Sequence, residues 1–181
     1  PVFSTEDTIS QAVARYLTRI HKYMEAEDWI NAERELEQTA RRYFKNEDSY
    51  ERALINQLYG QFYAMQRDYK NAIPWFEKAI AKGRLPFAAD LQVTYSLAQC
   101  YFQTGRYTDV INTLENYRTK ASKRGQNMAP VQLMVLGIAY FQEQEMLKAY
   151  LNIAEANATS TKLNEEWLQY EFALAVKLEK Y

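Results

Sequence analysis

The chain is poor in the residues that usually bring chemistry to a site. Of its 181 residues one is cysteine, Cys100, and one is histidine, His21. A lone cysteine excludes an internal disulfide, and one Cys with one His cannot assemble a Cys/His zinc cluster. Carboxylates alone could hold a cation, but no loop with the calcium spacing is present, so neither a metal nor a cofactor is expected. Gly-rich phosphate loops, nucleophile elbows and paired-carboxylate motifs are also missing, so no catalytic residue is assigned and the chain reads as a non-enzyme. Five Gly and four Pro leave few turns and favour long helices. Lys plus Arg number 22 against 23 Asp plus Glu, interspersed without a basic stripe, which argues against nucleic acid as a partner. No apolar run is long enough to insert in a membrane. The sequence starts at Pro1 rather than Met, so a missing signal peptide says little about compartment.

What the chain does have is a 48% hydrophobic composition and a pattern that returns about every forty residues. A hydrophobe, a small residue and a Tyr three places on appear as Tyr59-Gly60 with Tyr63, Leu97-Ala98 with Tyr101, and Leu136-Gly137 with Tyr140. Nine residues after each small residue stands a large hydrophobe (Tyr69, Tyr107, Met146). Then come Ala72, Val110 or Ala149, and after those Phe76, Leu114 or Ile153. A degenerate earlier copy carries Ile20, Tyr23, Trp29, Ala32 and Leu36. Fixed-period self-similarity of this length marks an array of helical repeats, each unable to bury its apolar face alone.

The three-and-four spacing of apolar residues places helices throughout and no strand. The first is expected from Ser4, with Asp7 facing back on its first turn, to about Glu27, and Asp28 starts the second. Asp48 is expected to cap the third, and the fourth runs from Tyr69 to Ala81 with Pro74 inside it. Gly83 ends the fourth, Pro86 and Pro130 open the fifth and seventh, and Gly105 marks a turn. Lys120 to Ala129 reads as the loosest loop, and Asn164 caps a last helix from Glu165 to Lys180. Each unit is then two antiparallel helices. Small residues (Gly60, Ala98 and Gly137 on the first helix, Ala32, Ala72 and Ala149 on the second) sit where the two cross. Large residues close the pair: Tyr63 on Tyr69, Tyr101 on Tyr107, Tyr140 on Met146.

The stretch Tyr59-Gly-Gln-Phe-Tyr63, Asp68-Tyr69, Ala72-Ile-Pro-Trp-Phe76 and Ala79 closely resembles the tetratricopeptide repeat family, as does Leu97-Ala, Tyr101 and Gly105-Arg-Tyr107. The resemblance implies an all-α, right-handed superhelical solenoid of antiparallel helix pairs. It forms a single domain over 1–181, with units near 4–47, 48–84, 86–125 and 130–160 and a partial unit at 164–181. The chain departs from the family in its longer period and in carrying prolines at the start of the next unit rather than near a repeat's end. The run Thr94-Tyr-Ser-Leu-Ala-Gln-Cys-Tyr-Phe, the Leu85-Pro86 entry and Asn164-Glu-Glu-Trp-Leu-Gln-Tyr also resemble periplasmic repeat proteins of bacterial TonB-type systems. That narrower resemblance implies a periplasmic location, with the cytoplasm as the alternative, and a secretion signal upstream of Pro1.

Within the family the first helix of each pair lines a concave groove, which implies a protein or peptide partner. Carried onto this sequence, the groove holds Leu17, His21 and Met24, then Gln57, Gln61 and Met65. It continues through Gln92, Tyr95, Gln99, Phe102 and Gln103 to Met134, Ile138 and Phe141. Binding contacts are expected to centre on Tyr95, Gln99, Phe102, Met134 and Phe141, facing one channel. Met and aromatics at helical spacing more often pack as core, so core and groove wall compete for these positions. Relatives that grip chaperone tails use Lys, Asn and Arg. The corresponding positions here are Leu17, His21, Gln57, Gln92 and Ser96, so that clamp is absent. The competing reading is a homodimer through the last helix, where Trp167, Leu168, Phe172, Leu174 and Val176 lack a following helix to cover them.

Overall fold

The structure, a computed structural model, describes residues 9–43 and 45–179. Among these residues the regular elements are helices and no strand is present. They are α1 (Gln11–Glu25), α2 (Trp29–Tyr43), α3 (Tyr50–Met65), α4 (Tyr69–Ala81), α5 (Phe87–Gln103), α6 (Tyr107–Ser122), α7 (Pro130–Gln142), α8 (Met146–Thr159) and α9 (Glu165–Glu179). None of these helices is long and apolar enough to cross a membrane. The chain divides into two compact units, Pro1–Cys100 and Tyr101–Tyr181, with the boundary inside α5.

Four turns of one design join the helix pairs. After α1 the Asp28 amide reaches back to the Tyr23 carbonyl at 2.8 Å, and the Glu27 amide to Met24 at 3.0 Å. The same two bonds recur from Asp68 and Arg67 to Tyr63 and Ala64, from Arg106 and Gly105 to Tyr101 and Phe102, and from Glu145 and Gln144 to Tyr140 and Phe141. This is the Schellman closure, which satisfies carbonyls that the helix end leaves open. It requires a left-handed residue, here Glu27 at φ 56°, Arg67 at 59°, Gly105 at 72° and Gln144 at 64°. The residue after it is the N-cap of the next helix. Asp28 and Asp68 fill that role through side chains that accept from the amides of Asn31 and Asn71. The recurring Tyr of the sequence pattern is thus also the residue whose carbonyl anchors the turn.

In the first unit α1 packs on α2, α2 on α3 and α3 on α4. Its core joins Val13, Ile20, Met24, Ala32, Leu36, Ile55, Leu58 and Phe62. Burying each large side chain of that set contributes roughly 1.5–3 kcal/mol. Gly60 is buried on α3, and a Cβ there would meet the Phe76 ring at 2.4 Å. In the second unit α6 packs on α7, α7 on α8 and α8 on α9. Gly137 faces α8 in the same way, its missing Cβ 2.6 Å from Ile153 Cγ1 and 3.3 Å from the Ala149 carbonyl oxygen.

Several local expectations change. Ser4 and Asp7 as caps, and Lys180 as the last helical residue, lie outside the described residues. α1 itself begins later than expected, at Gln11. Ser10 is its N-cap, accepting from the Val13 amide at 3.2 Å. Ser49, not Asp48, caps α3 by accepting from Arg52 at 3.1 Å, because the Asp48 carboxylate is held bidentately by Arg84 at 2.8 and 3.2 Å. Lys120 and Ser122 belong to α6 rather than to the loop, which starts after Ser122 and turns at Gly125 with φ 68°. Pro86 precedes α5, its carbonyl accepting from Asp90, while Pro130 is the first residue of α7 as expected. α4 runs unbroken through Pro74, which sits on the exposed face where water can meet the carbonyl that proline leaves without a donor.

Candidate functional site

The first helices of the first two pairs form a shallow hollow of about 100 Å³ lined by Leu17, His21, Leu54, Gln57, Leu58 and Gln61. Four sequence-predicted groove residues, Leu17, His21, Gln57 and Gln61, thus meet on one wall. Spacing explains the meeting: Leu17 with His21, and Gln57 with Gln61, stand four apart on one face of α1 and α3. Gln57 Oε1 is buried there without a hydrogen-bond partner. Met24, expected beside them, is 1% exposed and belongs to the core, whereas Met65 is 51% exposed.

The second unit holds a larger cleft, of about 340 Å³, between α7, α8 and α9. Ile138, Phe141 and Gln142 come from α7 and Ile153 from α8, while α9 brings Tyr170, Ala173, Leu174 and Lys177. The lining is apolar, and its rim stays open to solvent, with Phe141 at 38% and Tyr170 at 45% exposure. Lys177 Nζ lies 5.3 Å above the Phe141 ring, so a cation marks one edge. The Tyr170 hydroxyl donates to Glu166 Oε1 at 2.8 Å, and that bond is the main cause of its raised pKa.

Polar contacts hold these walls in place. Asn157 Nδ2 on α8 donates to the Trp167 carbonyl and to Glu171 Oε2, both at 3.1 Å, which ties α9 to α8. The Tyr140 hydroxyl donates to Glu115 Oε1 at 2.9 Å and ties α7 to α6. Burial first, and this bond second, push the Tyr140 pKa up to about 12. Arg118 donates to Asn152 and, at 3.5 Å, to Glu155, linking α6 to α8.

Of the other predicted contacts, Met134 is 3% exposed and is core, not groove, since it lies on the buried side of the most apolar helix. Phe102 is half-buried and packs edge-on against Tyr107 at 5.7 Å, and the Arg106 guanidinium lies over the buried Tyr101 ring at 4.7 Å. Tyr95 is half-buried and Gln99 exposed; both belong to the first unit, and Phe102, Met134 and Phe141 to the second. At the last helix Phe172 is 71% exposed, but Trp167 and Leu168 are half-buried. Leu174, at 5% exposure, packs toward Ile153 in the cleft, so the helix before it already covers part of the face expected to be bare.

Sequence reasoning missed the contribution of α9 to the cleft. The signal was present: Tyr170, Ala173, Leu174 and Lys177 stand at i, i+3, i+4 and i+7, one stripe of a helix. Among the described residues no group of three His, Cys, Asp or Glu side chains is placed to hold a metal ion.

Comparison with known proteins agrees with the helical-repeat fold. Residues 65–128 match the family described as anaphase-promoting complex, cyclosome, subunit 3. Two structures of a Podosopora anserina protein assigned as a kinesin light chain, made of nearly identical TPR-like repeats, align over nearly the whole chain. One has a TM-score of 0.66 at 15% identity and covers 96% of this chain and 100% of that one. The other has a TM-score of 0.65 at 15% identity, covering 99% and 100%. The fold is that of tetratricopeptide-like repeats. A structure of Naa15/Naa10 bound to HypK-THB also matches, with a TM-score of 0.54 at 16% identity, over 93% of this chain and 29% of that one. No curated protein matches the sequence.

Proposed function

We propose that this protein is a non-enzymatic scaffold that binds another protein, and that the cleft of the second unit takes an apolar anchor from it. The observation that carries this reading is the joining of Ile138 and Phe141 to Tyr170 and Leu174 in one open apolar cleft of about 340 Å³. An open aromatic-lined hollow with little polar lining suits a large side chain presented by a helix or extended segment. Lys177 at the edge favours a partner with a carboxylate next to its anchor. The tetratricopeptide-like fold supports a protein partner, and one structure that shares the fold is an assembly, Naa15/Naa10 bound to HypK-THB. The test is affinity capture from the native cell extract with the wild-type chain and with Ile138→Asp and Phe141→Ala. A protein retained by the wild type and lost from both folded variants supports the reading. Equal retention by all three contradicts it.

A second reading is favoured by Phe172, which leaves 71% of its surface in water on α9. Under it the last helix pairs with a second copy of the chain. Light scattering then gives a dimer that Phe172→Glu converts to a monomer. The finer assignment, a periplasmic aid to TonB-dependent transport, rests on the sequence resemblance of residues 85–86, 94–102 and 164–170, and a secretion signal encoded upstream of Pro1 is its test.

A further inference from the structure

Apart from the two hollows described above, a cleft of about 170 Å³ opens where the start of α3 meets the end of α4. It is lined by Glu47, Arg52, Asn56, Lys78, Ala81 and Lys82. Arg52 and Asn56 stand four apart on α3, and Lys78 and Lys82 four apart along the end of α4, so both pairs turn toward the same space. Glu47 is the carboxylate among the lining residues. The neighbouring Asp48 is already held by Arg84 at 2.8 and 3.2 Å, and that bond is the main reason its pKa is lowered. The lining thus sets three cations against one carboxylate.

The second observation is Asn56. It is 5% exposed, and its Oδ1 is buried without a hydrogen-bond partner. A buried amide left unpaired is costly, and natural structures seldom keep one without a use for it. A half-turn about its last bond exchanges Oδ1 for the NH₂ group, so the same side chain can offer either a donor or an acceptor. Beside it, Lys78 Nζ rests 4.7 Å above the Trp75 ring, which is itself stacked on Tyr59 at 4.1 Å, so one ammonium is propped at the rim. The first turn of α3 adds a favourable partial charge, while the carbonyl end of α4 has the opposite sign, which the charges of Lys78 and Lys82 offset.

We propose that this cleft binds a phosphate group, with Arg52, Lys78 and Lys82 supplying charge-assisted hydrogen bonds and Asn56 a buried amide. The volume is that of about six waters, enough for a tetrahedral oxyanion and the atom that carries it. Arg52 has the planar fork that matches two phosphate oxygens. Glu47 stands where it repels a bare anion, and a phosphate that keeps a proton can donate that proton to Glu47 or to Asn56.

The test is calorimetric titration of the whole chain with inorganic phosphate and, separately, with the amide of acetyl-phosphoserine, against chloride at equal ionic strength. One saturable site per chain is expected, weakened at least about tenfold by Lys82→Gln and lost in Asn56→Leu, with Lys123→Gln unchanged. Asn56→Leu removes an unpaired buried polar group and should unfold at a higher temperature than the wild type. Should it fail to fold, the exposed Lys82→Gln still decides the matter. Tighter binding of the phosphoserine amide assigns the site to a phosphorylated chain, and tighter binding of inorganic phosphate assigns it to the free ion; both support the proposal. No saturable site, or one that Lys82→Gln leaves unchanged, overturns it.

Discussion

A Cβ placed on Gly60 would stand 2.4 Å from Cδ1 of Phe76, well inside the contact distance of non-bonded carbons. Phe76 is 1% exposed, so its ring has nowhere to swing. The pair fixes how closely α3 and α4 approach, and Gly137 with Ile153 repeats it for α7 and α8. Gly60→Ala gains about 1 kcal/mol of helix propensity but overpacks the crossing by about 1–3 kcal/mol. Gly137→Leu has a larger volume to place and should lie at the top of that range or beyond it. Thermal denaturation checks both, and Phe76→Leu added to Gly60→Ala should recover part of the loss, as residues in contact do not act additively.

The repeat turns offer the opposite opportunity. Arg67 and Gln144 hold left-handed backbone at φ 59° and 64°, where Gly105 sits at 72°. Both side chains are exposed. Replacing either by Gly should stabilise the fold by about 0.5–1 kcal/mol, the relief of the left-handed conformation outweighing the extra freedom of the unfolded chain. Gly105→Ala should cost about 1 kcal/mol. Denaturant midpoints of the three variants measure this directly.

How much of this was legible in the sequence depends on whether a residue's role is local or shared. Gly60, Gly137 and the recurring Tyr could be placed because each repeat imposes the same crossing, and the period exposes it. Asn164 is legible as a cap, and Asp28 as the start of α2, because in each the side chain bonds an amide three residues on. Asp48 was misassigned for a non-local reason: Arg84, thirty-six residues away, claims its carboxylate. Met24 and Met134 have the helical spacing of groove residues, and spacing alone cannot tell two adjacent faces of a helix apart. The cleft in the second unit escaped because it needs α9, which carries no repeat signature, and Asn56 escaped because nothing local announces an unpaired amide.

Ionisation gives a test of packing in solution. Burial is the first cause that pushes Tyr59 and Tyr140 up to about 12, from an ordinary 10. A raised tyrosine pKa means that the folded state holds the proton more tightly than the unfolded one. The associated stability is therefore complete below pH 10 and is lost as pH rises from 10 to about 12. Absorbance titration should show tyrosines that ionise late, and Tyr59→Phe and Tyr140→Phe should each remove one of them.

The thiol reports the same burial independently. Cys100 is 2% exposed, and burial raises its pKa to about 11. Only the thiolate reacts readily. Alkylation at pH 8 should be slow in the native protein and fast once denaturant unfolds it, and fast native labelling would mean that the α5 face opens.

The central claim, that the second-unit cleft receives a partner's side chain, is tested most directly by placing a photo-crosslinking amino acid at Phe141 in the native cell. A matched probe goes at the exposed Arg124, on the turn after α6. The account predicts a discrete adduct with another protein at position 141, absent at 124 and suppressed when Tyr170→Ala is added to remove the opposite wall. No adduct at 141, or the same adducts from both positions, would contradict it. An adduct at twice the chain's own mass would contradict it too, and would assign the face to a second copy.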